Sequence, residues 1–403
     1  MNSSQCEKKQ VSDLAVFSGP PLFKELLHVG RPNIGDRSEV YNLMDDIFDR
    51  RWLTNNGPVV QEFEERLAAI LGTRHCVAVC NATIGLELAI RSVGMTGEVI
   101  VPSFTFIATA HALEWQGIKP VFCDVDPETH NINPKIIEEL ITPRTSGILG
   151  VHVWGRPCEI EELSEIAELY DLKLIFDAAH ALGCSYQGKM IGHFGQAEVF
   201  SFHATKFFNT FEGGAIATND DELAERIRLM KNFGFAGRDN VVTIGTNGKM
   251  SEVSAAMGLV GLDHLEEFVA VNQQNYRAYQ RIFSDLPGFK QIAYDETERQ
   301  NYQYIIIEVD QSLAGISRDR LVDILNAENI LARRYFYPGC HQMEPYRSLY
   351  PDAGNHLLET EKLTRCVMSL PTGTAIDNDD IEIIGQLIRF VLDHTEDIKA
   401  RYE

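Results

Sequence analysis

Between residues 58 and 233 the chain alternates short apolar runs with amphipathic ones, and few folds accommodate that rhythm. Residues 75–80, 98–101, 119–124, 147–153, 173–177, 198–201 and 215–217 read as short buried strands. Between them, 59–71, 84–93, 134–141, 159–170 and 221–233 carry apolar residues at helical spacing, with Pro58 suited to a first helical turn. Strands that are apolar throughout, and not alternating, must be covered on both faces. The expectation is an α/β fold with a mostly parallel central sheet and helices on both sides. After about residue 265 the texture changes, with helices expected over 264–286, 319–329 and 381–394 and a strand over 302–309. We therefore expect an N-terminal arm (1–30), a large domain (31–265) and a smaller C-terminal α+β domain (266–403).

Bulk properties narrow the class. With 36 basic against 58 acidic residues the formal charge is −22, which repels nucleic acid and anionic membrane. Any phosphate-bearing ligand must then be held by local cations and backbone amides. No apolar run approaches the length of a bilayer span, and residues 1–10 lack the apolar core of a signal peptide, so a cytoplasmic location is expected. The eight cysteines are scattered without a Cys-x-x-Cys pair, which suits free thiols and argues against a metal site.

Two residues carry the chemistry. Asp177 closes the run Lys173-Leu174-Ile175-Phe176-Asp177, and Lys206 follows Ser201-Phe202-His203-Ala204-Thr205 just ahead of Glu212-Gly213-Gly214. In open α/β sheets the ligand crevice lies at the carboxyl ends of the strands. A lysine and an aspartate placed there are what pyridoxal phosphate (PLP) requires. The amine condenses with the cofactor aldehyde and later moves a proton, while the carboxylate keeps the ring nitrogen protonated. Either residue alone would read as a surface lysine or a helix-capping acid.

The phosphate needs a cradle. Asn81-Ala82-Thr83 follows a strand and opens a helix, so the amides of Ala82 and Thr83 and the Thr83 hydroxyl suit an anion, with Ser201 adding a second hydroxyl. Asn81 or Thr83 would equally serve as a simple helix cap. Phe106 is placed to lie over the cofactor ring or to pack in the core, and His180, near Asp177, could approach the ring oxygen.

These residues, with Gly57-Pro58-Val59-Val60-Gln61-Glu62-Phe63-Glu64 and Asp177-Ala178-Ala179-His180, resemble the DegT/DnrJ/EryC1/StrS sugar aminotransferases, fold-type I PLP enzymes. The resemblance runs from Gly30-Arg31-Pro32 to Ser369-Leu370-Pro371. It implies Lys206 as the cofactor-bonding lysine, Asp177 as the ring-nitrogen partner and His180 beside the 3′ oxygen. It further implies Phe106 as the stacking aromatic and Ala82, Thr83 and Ser201 as the phosphate cradle. Asn247 matches an asparagine that reaches the phosphate from a neighbouring subunit, which implies a homodimer with shared sites. Two departures stand out: Asn81-Ala82-Thr83 replaces a more usual Ser-Gly-Thr, and Gly248-Lys249 replaces an aromatic and an arginine.

The resemblance also implies glutamate as amino donor and a nucleotide-linked keto sugar as acceptor. Arg31, Arg238, Lys249, Arg333 and Arg334 are candidate cations for them, and Tyr335, Tyr337 and His341 candidate sugar-pocket residues. Arg51-Trp52-Leu53-Thr54-Asn55-Asn56-Gly57-Pro58 looks most like members acting at C4 of a dTDP-4-keto-6-deoxyhexose, with a C3-aminotransferase as the near rival. A sugar dehydratase of the same superfamily would have lost Lys206. A PLP-bound regulator would need a DNA-binding module and a basic patch, and a dinucleotide oxidoreductase an early Gly-x-Gly-x-x-Gly; the sequence has none of these.

Overall fold

The structure is a computed structural model, and it describes residues 8–402. Residues 1–7 of the expected arm, with Cys6, and residue 403 lie outside the described residues. The seven strands His75–Val79 (β1), Glu98–Pro102 (β2), Lys119–Cys123 (β3), Thr145–Val151 (β4), Lys173–Asp177 (β5), Ala197–Ser201 (β6) and Gly214–Thr218 (β7) form one sheet. Their order is β1-β7-β6-β5-β4-β2-β3. The neighbours from β6 through β3 are parallel; β7 alone runs antiparallel, to both β1 and β6.

Alternate residues of each strand serve two cores, which is why the runs are apolar throughout. Cys76 and Ala78 of β1, Ile100 of β2 and Leu174 and Phe176 of β5 enter one core. Val77 and Val79, Val99 and Val101, and Ile175 enter the other. The helices that cover the sheet include Arg37–Arg50 (α1), Pro58–Leu71 (α2), Ala82–Val93 (α3), Ile107–Glu114 (α4), Ile160–Leu169 (α5), Asp221–Met230 (α6) and Glu252–Asp263 (α7). The long helix Leu265–Phe283 (α8) leads into a three-stranded antiparallel sheet, Phe289–Gln291 (β8), Ile305–Val309 (β9) and Val367–Leu370 (β10). Helices Arg318–Ala327 (α9), Leu358–Cys366 (α10) and Asn378–Asp393 (α11) complete this part. Residues 8–30 fasten onto it: Glu328 accepts from the amides of Ala15 and Leu22, each at 2.7 Å, and pairs with Lys8 at 2.8 Å. Leu27–His28 then pairs in parallel with Ile330–Leu331.

Several expected elements differ in extent. The helix expected over 134–141 is a 3₁₀ turn, Pro134–Ile136, followed by the single helical turn Ile137–Leu140. The helix expected to reach residue 233 stops at Met230, because the chain turns back there and the Phe233 amide bonds to Thr246 at 3.1 Å. The strand expected from 302 begins at Ile305, since Tyr302 sits at φ 48°.

The edge strand β1 is sealed by a buried ion pair. Glu64 accepts from the Ala78 amide at 2.8 Å and from Lys231 Nζ at 2.9 Å, and Lys231 also donates to the Ala78 carbonyl at 3.1 Å. Removing one partner leaves the other charge buried and unpaired, which costs about 3 kcal/mol. Glu64→Ala is therefore expected to lower stability by about that amount, read as a fall in the urea midpoint of unfolding; an unchanged midpoint would show that the pair contributes nothing.

Candidate active site

The carboxyl ends of β1, β2, β5 and β6 converge on a cavity of about 350 Å³. Ala82, Thr83, Phe106, Asp177, His180, Ser201 and Lys206 all line it, together with Arg333 and Tyr335 from the C-terminal part. Asn81 caps α3 by accepting from the Ile84 amide at 2.9 Å. The first-turn amides of Ala82 and Thr83 precede any intrahelical acceptor, and both residues line the cavity. Gly214 makes this close approach possible: a Cβ there would lie 2.9 Å from the Ala82 nitrogen and 2.7 Å from the Phe200 carbonyl oxygen.

Asp177 is buried at the end of β5. The Thr109 hydroxyl donates to Oδ2 at 2.8 Å and the Ala179 amide to Oδ1 at 3.1 Å. Thr105 Oγ1 backs Thr109 at 3.0 Å, so the carboxylate is held from two sides by buried groups. Burial raises its pKa, and Thr109, the Ala179 amide and the charge of Lys206 oppose that rise. Lys206 follows a turn closed by its own amide on the His203 carbonyl at 2.8 Å. Its amine reaches the Tyr304 hydroxyl at 3.3 Å, and burial pulls its pKa down from 10.5 to about 8 against the attraction of Asp177. An amine so depressed keeps a sizeable neutral, and therefore nucleophilic, fraction just above neutral pH, where an ordinary lysine has almost none.

His180 accepts from the Trp154 amide on Nδ1 at 3.2 Å, which places the ring proton on Nε2. Burial, and then Lys206, push its pKa well below the usual range, so the ring is neutral. Phe106 is the N-cap residue of α4, and its ring stays 59% exposed on the cavity wall although the three residues before it are buried. An apolar ring held out over a cleft suits stacking on a flat ligand better than core packing. Arg333 Nη1 donates to the Tyr335 hydroxyl at 3.0 Å.

Other candidates fall elsewhere. His341 is not a wall of this cavity, contrary to its assignment to a sugar pocket. It is buried, with Nδ1 on Ser103 Oγ at 2.7 Å and Nε2 on Glu361 at 2.9 Å, so both ring nitrogens are engaged. It lines a separate open groove whose cations Lys290, Arg347, Lys362 and Arg365 pair with Glu128, Glu344, Glu359 and Glu361. Arg31, Arg238, Asn247 and Lys249 do not line the cavity within one chain; Lys249 Nζ donates to Asn247 Oδ1 at 2.6 Å. Arg334 pairs with Asp319 at 3.4 Å, and exposed Tyr337 lies beside its guanidinium. Sequence reasoning missed Thr109, Tyr304 and Phe336, since a threonine in an apolar run and rings beside other rings or a strand carry no signal by residue type.

Residues 35–389 match the DegT/DnrJ/EryC1/StrS aminotransferase family. The chain belongs to that family. A curated relative from Shigella dysenteriae, named dTDP-4-amino-4,6-dideoxy-D-glucose transaminase, is 39% identical over 365 residues, covering 90% of this chain and 98% of the relative. An Escherichia coli relative of the same name is 37% identical over 363 residues, covering 89% and 97%. The solved structure of DesI in the presence of its TDP-sugar product superposes with a TM-score of 0.93 at 49% identity, covering 98% of this chain and 100% of that one.

The donors on this family member's cavity fit pyridoxal phosphate in kind: a free helix N-terminus, an exposed ring, a buried carboxylate and a depressed amine. Two outcomes follow. Thr109→Val removes one donor from Asp177 and is expected to reduce turnover about tenfold without loss of fold, since a hydrogen bond to a charged group is worth that much; unchanged turnover would show that Ala179 alone holds the carboxylate. In the cofactor-free chain, acylation of Lys206 followed by mass spectrometry should reach half its limiting rate near pH 8, where the amine loses its proton; a midpoint near 10.5 would contradict the depressed value.

Proposed function

We propose that this aminotransferase moves an amino group from glutamate to C4 of dTDP-4-keto-6-deoxy-D-glucose, giving dTDP-4-amino-4,6-dideoxy-D-glucose and 2-oxoglutarate. The observation that carries the reading is the Lys206 amine, its pKa lowered by burial, and the buried Asp177 carboxylate on one cavity. It sits in a chain that matches nearly the full length of relatives named for that product. Those names favour C4 over C3, and the presence of a TDP-sugar product with DesI supports a nucleotide-linked sugar.

Bound pyridoxal phosphate supplies an electron sink for the pair left when a proton leaves the donor carbon. The residues of this chain do the rest. Ala82 and Thr83 amides and the Thr83 and Ser201 hydroxyls would hold the phosphate, and Phe106 would lie against the ring. Asp177 would hold a proton on the ring nitrogen, neutral His180 would offer Nε2–H to the ring oxygen, and Lys206 would supply the amine for the aldehyde and carry the proton. Arg333 is the guanidinium on the cavity wall and takes a carboxylate or diphosphate.

Asn247 acts in a second copy of the chain, completing the partner's phosphate site in a homodimer. The exposed Phe233, Phe235, Val241, Val242 and Ile244 flank it and supply apolar surface for that contact. Among the described residues no helix is long and apolar enough to cross a membrane, and the reading places the enzyme in the cytoplasm.

The test is incubation with glutamate and a panel of dTDP-keto sugars, with NMR locating the new amine. Amination at C4 of the 4-keto-6-deoxy-D-glucose is expected; a product aminated only at C3 would move the assignment. Lys206→Ala should abolish turnover and the covalent absorbance. Asn247→Ala should weaken cofactor retention in dimers, and equal retention by monomers would remove the shared-site role.

A further inference from the structure

Tyr304 precedes β9, in the connection between β8 and β9 of the small sheet, and lies more than ninety residues from the lysine it meets. Its side chain projects into the cavity, where its hydroxyl stands 3.3 Å from Lys206 Nζ. The ring is clamped on several sides: His180 at 4.7 Å, Trp154 edge-on at 5.5 Å and Tyr335 at 6.1 Å. Its backbone carbonyl accepts from Tyr294 at 3.2 Å, which fixes the main chain behind it. Filling that space needs only a ring, and phenylalanine supplies one. A buried phenol needs a partner for its hydroxyl, and here the partner is the amine that the proposed reaction must both bond and release.

We propose that Tyr304 is a positioning residue that holds the Lys206 amine in line with the reacting carbon whenever that amine is not bonded to cofactor. The inference rests on the transaminase reading. A transaminase lysine gives up its cofactor bond to the incoming amino donor and must then act from a fixed place as acid and base. An unheld lysine side chain has four rotatable bonds with which to wander from it. A phenol suits both states of the amine, since its oxygen accepts from an ammonium and its hydrogen donates to a neutral amine. Burial and the neighbouring Tyr335 and Tyr294 keep Tyr304 well above the usual tyrosine range, so the hydroxyl keeps its proton throughout. His180, neutral and packed on the same ring, limits the ring's tilt and so the direction in which the hydroxyl points.

The experiment compares full-length wild type, Tyr304→Phe and Tyr304→Leu. Turnover with glutamate is split into kcat and KM, and acetic anhydride acylation of Lys206 in the cofactor-free chain is followed by mass spectrometry. Tyr304→Phe is expected to lower kcat about tenfold with KM within about twofold of wild type. It should also speed Lys206 acylation several-fold, with no change in melting temperature. Tyr304→Leu should show the same two changes plus a lower melting temperature. Unchanged kcat or unchanged acylation in Tyr304→Phe overturns the proposal, because packing alone would then account for the residue. If wild type itself fails to transaminate, the functional reading fails on its own, and the acylation rates still decide whether the phenol holds the amine.

Discussion

The arrangement depends on a carboxylate that is costly to bury. Asp177 lies in the interior at a strand end, where desolvation disfavours its charge, and Lys206 shares the same cavity under the same penalty with the opposite sign. Each partly offsets the other, and Thr109 and the Ala179 amide add to the acid's side. Neither is fully compensated by the protein. A cationic ring nitrogen against Asp177, and an aldehyde for the amine, would relieve both strains together, which is the chemistry pyridoxal phosphate would supply. Ligand affinity and chemical competence thus come from the same electrostatic shortfall.

The scaffold makes that shortfall tolerable by distributing the site across elements that cannot move independently. The sheet delivers Asp177, Ser201 and the start of α3 to one edge, and Gly214 lets the start of α3 come close to it. The smaller part closes the opposite wall through Tyr304, Arg333, Tyr335 and Phe336. An aromatic cluster joins the two. Trp154 stacks on Phe336 at 4.9 Å and on His180 at 5.9 Å, and Phe104 meets Phe336 edge-on at 5.5 Å. Below it, His341 ties Ser103, three residues before Phe106, to Glu361 on α10.

What the sequence revealed follows from how local each signal is. The strand runs and the start of α3 were readable because double-sided burial and a helix start leave short, contiguous marks. The antiparallel course of β7 was not, since an apolar run packed on both faces reads alike in either direction. His341 was misread because its meaning comes from Ser103, 238 residues away in the chain. Thr109 and Tyr304 were invisible for the opposite reason: inside an apolar stretch a threonine or tyrosine looks like ordinary packing until its hydroxyl is seen against a charge. Helix α1 and strand β10 were passed over as well, the former because its polar surface dilutes the periodic signal.

The central claim is that Asp177 exists here to keep a bound ring nitrogen cationic. The most direct measurement is the ¹⁵N NMR shift of ring-labelled pyridoxal phosphate bound to the full chain at neutral pH. The account predicts a pyridinium shift in the wild type that moves toward the neutral value in Asp177→Asn. A neutral ring nitrogen in the wild type would contradict it.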